Sequence, residues 1–249
     1  MRTLTIVLLL LIGILPTGFA QDAQKPIAVV ELFTSEGSAD CPAADMLLAK
    51  LAIAAREQDV RIYPLSFHVD YWNRFGWRDP FSQKDFSLRQ EWYAKQIGSP
   101  IELPQMIING QRALSGLNSK EVQVAVNKAL REPASVLIGL SLLEVNQKRI
   151  LASFSLNGDW KGKRLVVAFV ERGVSVDVAR GANAGRRLKH EHVVKQFQVL
   201  APDQNTGSFI FTSPPLSNLD RFSIIAFMQD TDVPEITGAM QLDLPTLAK

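Results

Sequence analysis

The chain has 249 residues, 27 Lys and Arg against 25 Asp and Glu, three His and a single Cys. A formal charge of +2 gives bulk electrostatics no hold on nucleic acid or an anionic membrane, and one cysteine excludes any disulfide within the chain. No low-complexity tract or internal repeat interrupts it.

Residues 1–20 read as a separate object. Arg2 gives a positive start, Ile6 to Leu15 is a short apolar run, and Gly18-Phe19-Ala20 is a small-residue cleavage site before Gln21. The run is too short, and too soon followed by Pro16, to span a bilayer. The reading is a signal peptide over 1–20 and an exported protein, periplasmic or secreted, without stable membrane insertion. Roughly 229 residues then remain, enough for one large domain or two ordinary ones.

Apolar Ile27 to Phe33 predicts a buried strand, Gly37 a turn, and Ala43 to Arg56 an amphipathic helix. Val60 to Phe67 predicts a second strand. A helix is expected from Gln83 to Ile97, with Ser82 as N-cap and Asp85 three residues on. Pro104 precedes a strand at Gln105 to Ile108, and Asn109-Gly110 signals a two-residue hairpin returning through Gln111 to Ser115. Ser119 to Arg131 predicts a helix capped by Asn118, with Glu121 in the capping-box position.

The order β-α-β-α-β-β-α, with Ser38-x-x-Cys41 between the first strand and first helix, is the layout of a thioredoxin-like α/β domain over 21–132. After Glu132-Pro133 the pattern becomes strand after strand: Val136 to Val145, Ile150 to Leu156, Leu165 to Glu171, Val193 to Leu200, Ser208 to Thr212, Phe222 to Gln229 and Glu235 to Leu242. Seven such runs with no convincing helix predict an all-β, sandwich-like domain over 133–249.

Five segments are distinctive as an ordered set: Val30 to Gly37, Cys41-Pro42, His68 to Trp72, Gly76 to Phe81 and Pro104 to Gly110. With Asn183 to Arg186, His190 to Val194 and Gln229-Asp230 they resemble a family of secreted bacterial thioredoxin-like proteins, the domain of unknown function DUF1223. That family's pattern carries cysteine where this chain has Ser38, and often proline where it has Ala43. The resemblance implies the fold and export and supplies no reaction. It also implies that Pro104 is cis and lies beside the Ser38-x-x-Cys41 turn.

In dithiol chemistry the first cysteine attacks as a thiolate stabilised at a helix N-terminus, and the second resolves the mixed disulfide. Ser38 cannot act as the first. Cys41 is therefore the catalytic candidate only for monothiol chemistry; its alternative role is a small buried side chain. Ser38, His68, Asp70, Leu103 and Pro104 are candidate binding residues around a groove, and Ser38 with His68 and Asp70 is a less favoured hydrolase arrangement. His68 and Asp70 would share one strand face; beside a thiol they could ligate a metal, as could alternating His190 and His192 on an exposed strand. Neither set makes a closed site, so no metal or other cofactor is assigned.

Tyr71, Trp72, Phe75, Trp77 and Phe81 line a groove or form a satellite core. Arg180, Arg186, Arg187 and Lys189 form a basic patch about a glycine-rich loop, an anion site or a solvated surface. The leading expectation is a binding or accessory protein without dithiol oxidoreductase activity, taking an extended peptide or small ligand. The alternatives are a monothiol redox enzyme or redox partner using Cys41, and a periplasmic metal-handling protein.

Overall fold

The computed structural model of the chain describes residues 25–246, so the leader expected over 1–20 lies outside them. Strand β1 (Ala28–Thr34) is buried on both faces, its apolar run interrupted only by Glu31 before Thr34, and pairs in parallel with β2 (Ile62–His68). Helix α1 (Cys41–Glu57) makes the crossover between them, with Pro42 in its first turn. A 3-10 turn (Tyr71–Phe75) leads to α2 (Lys84–Ile97). Ser82 does not cap α2: Gln83 holds the cap position without a side-chain bond, and the Ser82 hydroxyl donates to the Asp79 carbonyl instead.

Strand β3 (Gln105–Ile108) runs antiparallel to β1 and turns into β4 (Arg112–Ser115) with Ile108 opposite Arg112, so the loop takes Gln111 as well as Asn109 and Gly110, the last two at positive φ, and has three residues where two were expected. That geometry selects these two residue types. Helix α3 (Ser119–Ala129) starts as expected: the Asn118 side chain accepts from the Glu121 amide at 3.3 Å. At Gly110 a Cβ would sit 1.6 Å from the Pro234 carbonyl oxygen. Gly110→Ala should therefore cost about 1–3 kcal/mol, read as a lowered urea midpoint, because both the backbone angle and the neighbouring chain oppose it.

The second half supplies β5 (Val136–Val145), β6 (Arg149–Gly158), β7 (Arg164–Glu171), β8 (Val174–Asp177), β9 (Arg187–His190), β10 (Val193–Leu200), β11 (Thr206–Thr212), β12 (Phe222–Gln229) and β13 (Ile236–Asp243). The change of pattern at Pro133 is not a break in the sheet. Eight strands form one mixed sheet in the order β13-β12-β7-β10-β2-β1-β3-β4, joined where β10 meets β2 at Val193 and Ser66. Four of the strands expected in the all-β half extend the N-terminal sheet, where the apolar start of β10 pairs with the edge of β2.

The other three, in the order β11-β6-β5, make a second sheet laid over the first. Phe154, Phe209 and Phe211 meet Phe169, Phe222 and Ile224 between the two layers. Period-two alternation splits the remaining core. Val166, Ala168, Ile225 and Phe227 face α2 through Phe86 and Tyr93, whereas alternate residues of β1 and β3 pack under α1 and α3.

Candidate functional site

The turn after β1 and the C-terminal end of β2 lie at the same edge of the sheet, as a parallel pair requires: Thr34 is opposite His68. Ser38, Cys41, His68 and Pro104 are all buried there, and Asp70 and Leu103 are half-buried. The Leu103–Pro104 peptide is cis. Pro104 reaches the start of α1 through Gly116, where a Cβ would meet Ala44 at 2.8 Å and Pro104 at 3.0 Å.

Cys41 has no solvent exposure. Its Sγ accepts from the Ser35 amide at 3.3 Å. Burial, reinforced by the nearby Asp45 carboxylate, pushes the thiol up to about 11 against the lowering effect of Thr34 and Ser38. The thiol is therefore protonated at neutral pH.

His68 does not work with Asp70. The Asp70 carboxylate accepts from the Ser87 hydroxyl at 2.5 Å, in the loop toward α2. The partner of His68 is Asp79, whose Oδ2 lies 2.7 Å from His68 Nδ1 and also accepts from the Glu36 amide at 2.8 Å. Burial would raise the Asp79 carboxyl, but His68 and the two amides of Glu36 and Phe81 hold it below its ordinary value. The other ring nitrogen of His68, Nε2, is sealed and has no partner among the described residues.

The second histidine of the site comes from far along the chain. Strands β8 and β9 form a hairpin in the segment read as a glycine-rich basic loop, and His190 at its end stacks edge-on to His68, ring centres 4.9 Å apart. His190 Nε2 lies 3.1 Å from Glu36 Oε1, and Nδ1 is at ion-pair distance, 3.5 Å, from Asp45 Oδ2. Burial alone would lower its pKa; the Asp45 and Glu36 carboxylates outweigh it and hold His190 up at about 10. Asn183, in the same excursion, donates to both the Glu36 and Ser38 carbonyls, at 2.8 and 2.7 Å.

The turn is thus roofed by the protein's own hairpin. His192, expected to share a face with His190, sits at positive φ, buried elsewhere beside Arg172 and Arg56. Burial and those two cations push it down to about 3. Among the described residues no group of three or more His, Cys, Asp or Glu is arranged to hold a metal ion.

The aromatic residues divide. Trp77 donates its indole N–H to Glu36 Oε2 at 2.7 Å, Phe81 stacks on His68, and Trp72 packs on Phe75 and beside Gly37. Of the basic patch, Arg180, Arg186, Arg187 and Lys189 are exposed, and Arg186 donates to the Asn183 side chain. Sequence reasoning gave no role to Glu36, Asp45 or Asp79. For Glu36 and Asp45 the signal is an acid beside or within a largely buried segment, which requires a partner; Asp79, between exposed Arg78 and Pro80, gives none.

Fold and site define a mixed α/β protein in which a single, sealed thiol lies beneath a hydrogen-bonded histidine–carboxylate cluster. The family model for proteins of unknown function DUF1223 matches residues 29–229, and the chain belongs to that family. Among solved structures it is similar to a crystal structure of a protein from Agrobacterium tumefaciens, at 26% identity over 91% of this chain and 98% of that one, with a TM-score of 0.67. A domain of the outer membrane lipoprotein Omp28 from Porphyromonas gingivalis aligns at 16% identity and a TM-score of 0.27, over 45% of this chain and 88% of that one. No curated protein matches the chain.

Proposed function

We propose that this is an exported thioredoxin-like binding or accessory protein that does not carry out dithiol exchange. The observation that carries the reading is the state of the one sulfur: Cys41 is buried, its thiol stands at about 11, and Ser38 occupies the place of an attacking cysteine. The thioredoxin-like part of the reading is supported by the order β2-β1-β3-β4 with β3 antiparallel, α1 and α3 on one face, and α2 on the other. Because Asn183 and His190 cover the turn, an extended peptide or small ligand has access to the half-buried rim, Asp70, Tyr71, Trp72 and Leu103, and reaches Ser38 only if the hairpin lifts.

The test uses thiol reactivity. A thiol at about 11 instead of the ordinary 9.0 has about a hundredth of the thiolate at neutral pH, before burial slows the reagent further. A bulky maleimide should label native protein at least about a hundredfold more slowly than urea-unfolded protein. Fast native labelling would instead favour the monothiol reading. Insulin reduction should not exceed a Cys41→Ala control, and Ser38→Cys should acquire a reducible internal disulfide. A double-cysteine variant that cannot be oxidised internally would remove the thioredoxin-like reading. Export is tested separately: a chain carrying residues 1–20, produced in a bacterial host, should be recovered outside the cytoplasm beginning at Gln21.

A further inference from the structure

On the α2 side of the large sheet, away from the thiol turn, lies a cleft of about 330 Å³. One wall is the face of α2 formed by Asp85, Leu88, Arg89 and Trp92, whose spacing puts them on a single stripe. Phe197 and Val199 of β10 form the other wall, and Gln229 at the end of β12 closes one end. Leu88 and Val199 are 47% and 53% exposed, large apolar side chains left at the mouth. The volume and the aromatic and aliphatic walls are those of a small-molecule site.

The cleft also contains a specific polar group. The Arg89 side chain is only 5% exposed. Its Nε and Nη2 are committed to Glu31, Tyr93 and Gln229. Nη1 has no hydrogen-bond partner among the described residues, yet it is not among the sealed polar atoms, so it retains access to the cleft that Arg89 lines. A guanidinium with one free donor nitrogen, held rigid by its other bonds, its central carbon 5.0 and 5.9 Å from the centres of the Phe197 and Trp92 rings, is a preorganised hydrogen-bond donor on an apolar floor.

Charge narrows the ligand. Glu31 already offsets Arg89, and the remaining lining has one cation, Arg164, against two carboxylates, Asp85 and Asp230. The cleft therefore offers no net attraction to an anion. We propose that it is a binding site for a small neutral apolar molecule bearing one hydrogen-bond acceptor, such as an aryl ketone, with the acceptor on Arg89 Nη1 and the apolar body between Leu88, Trp92, Phe197 and Val199. This site is independent of the reading of the Cys41 turn.

The probe is 6-propionyl-2-dimethylaminonaphthalene, neutral and fluorescent, with 2-dimethylaminonaphthalene as its ketone-free counterpart. Folded protein should bind the ketone saturably at one site, with a blue-shifted emission. The ketone-free probe should bind about tenfold more weakly, the worth of one hydrogen bond to a charged donor. Leu88→Asp with Val199→Asp, through lost apolar contact, and separately Thr231→Trp, which fills the cleft that Thr231 also lines, should each weaken ketone binding by at least about tenfold while the urea midpoint stays unchanged. Cys41→Ala should leave binding unchanged. No saturable binding, equal affinity for the two probes, indifference to both cleft variants, or sensitivity to Cys41→Ala would each overturn the proposal.

Discussion

Arg89→Met should destabilise the protein by about 3–5 kcal/mol, the cost of leaving the partner of a buried ion pair uncompensated. Glu31 lies on β1, between β2 and β3, with no exposure of its side chain. Both of its oxygens depend on α2: Arg89 Nε donates to Oε2 at 2.5 Å, Nη2 donates to Oε1 at 2.9 Å, and the Tyr93 hydroxyl donates to Oε1. Burial would lower the Arg89 pKa, but Glu31 and Tyr93 hold it above its ordinary value, so the guanidinium keeps its charge. Gln229 adds its amide to Tyr93 at 2.7 Å and to the Pro234 carbonyl at 3.1 Å, which ties the first strand of the chain to the end of β12.

The loss should therefore appear as a single transition at lower urea, with both halves of the large sheet melting together. Glu31→Gln should fall in the same range from the other side. The double variant Glu31→Leu with Arg89→Met should recover much of the loss, since an apolar pair of similar volume leaves no charge buried. A cost below about 1 kcal/mol for Arg89→Met would be the value of an exposed pair and would contradict the buried geometry.

The local elements were legible because each is written in short-range chemistry. The apolar run of β1, the Asn109-Gly110 turn and the Asn118 cap all fall where periodicity and turn residues put them. What was not legible is pairing across distance. Nothing local states that Val193 will dock against Ser66 and carry the second half onto the edge of the first, since any apolar strand start could pair there. The hairpin β8–β9 was missed because its strands are four residues each and flank Gly181 and Gly185, which read as loop.

The site shows the same division. Cys41, His68 and Pro104 were recognisable from motif position, and the topology put the ends of β1 and β2 together. Asp70 was set beside His68 because alternation on a continuing strand would have aligned them. Strand β2 ends at His68, so the alternation stops and the chain returns through Asp79 instead. The partners of Glu36 lie 41 and 154 positions away in sequence, at Trp77 and His190, where no spacing rule reaches.

His190 and His192 together should give a stability maximum near pH 6.5, and the sign of each limb follows from the direction in which each buried histidine is shifted. His190 holds its proton up to about 10 in the fold and to an ordinary 6.5 when unfolded. Its contribution is complete below about 6.5; above that the folded state binds more protons than the unfolded one, and stability falls as pH rises toward 10. His192 is the opposite case. It stays neutral in the fold down to about 3, so below 6.5 the unfolded state binds the extra proton and stability falls as pH drops. Each limb is bounded at about 1.4 kcal/mol per pH unit. The groups facing His190 are the Glu36 and Asp45 carboxylates, the His68 ring with Asp79 behind it, and Phe81, so the alkaline limb reads the loss of a proton from an acidic cage to solvent. Urea unfolding from pH 5 to 9 should trace both limbs. His190→Gln should lower stability at pH 6.5 and flatten the alkaline limb while leaving the acid one. An alkaline limb of unchanged slope in His190→Gln would mean that His190 does not carry the proton, and that the carboxylates around it are satisfied in another way.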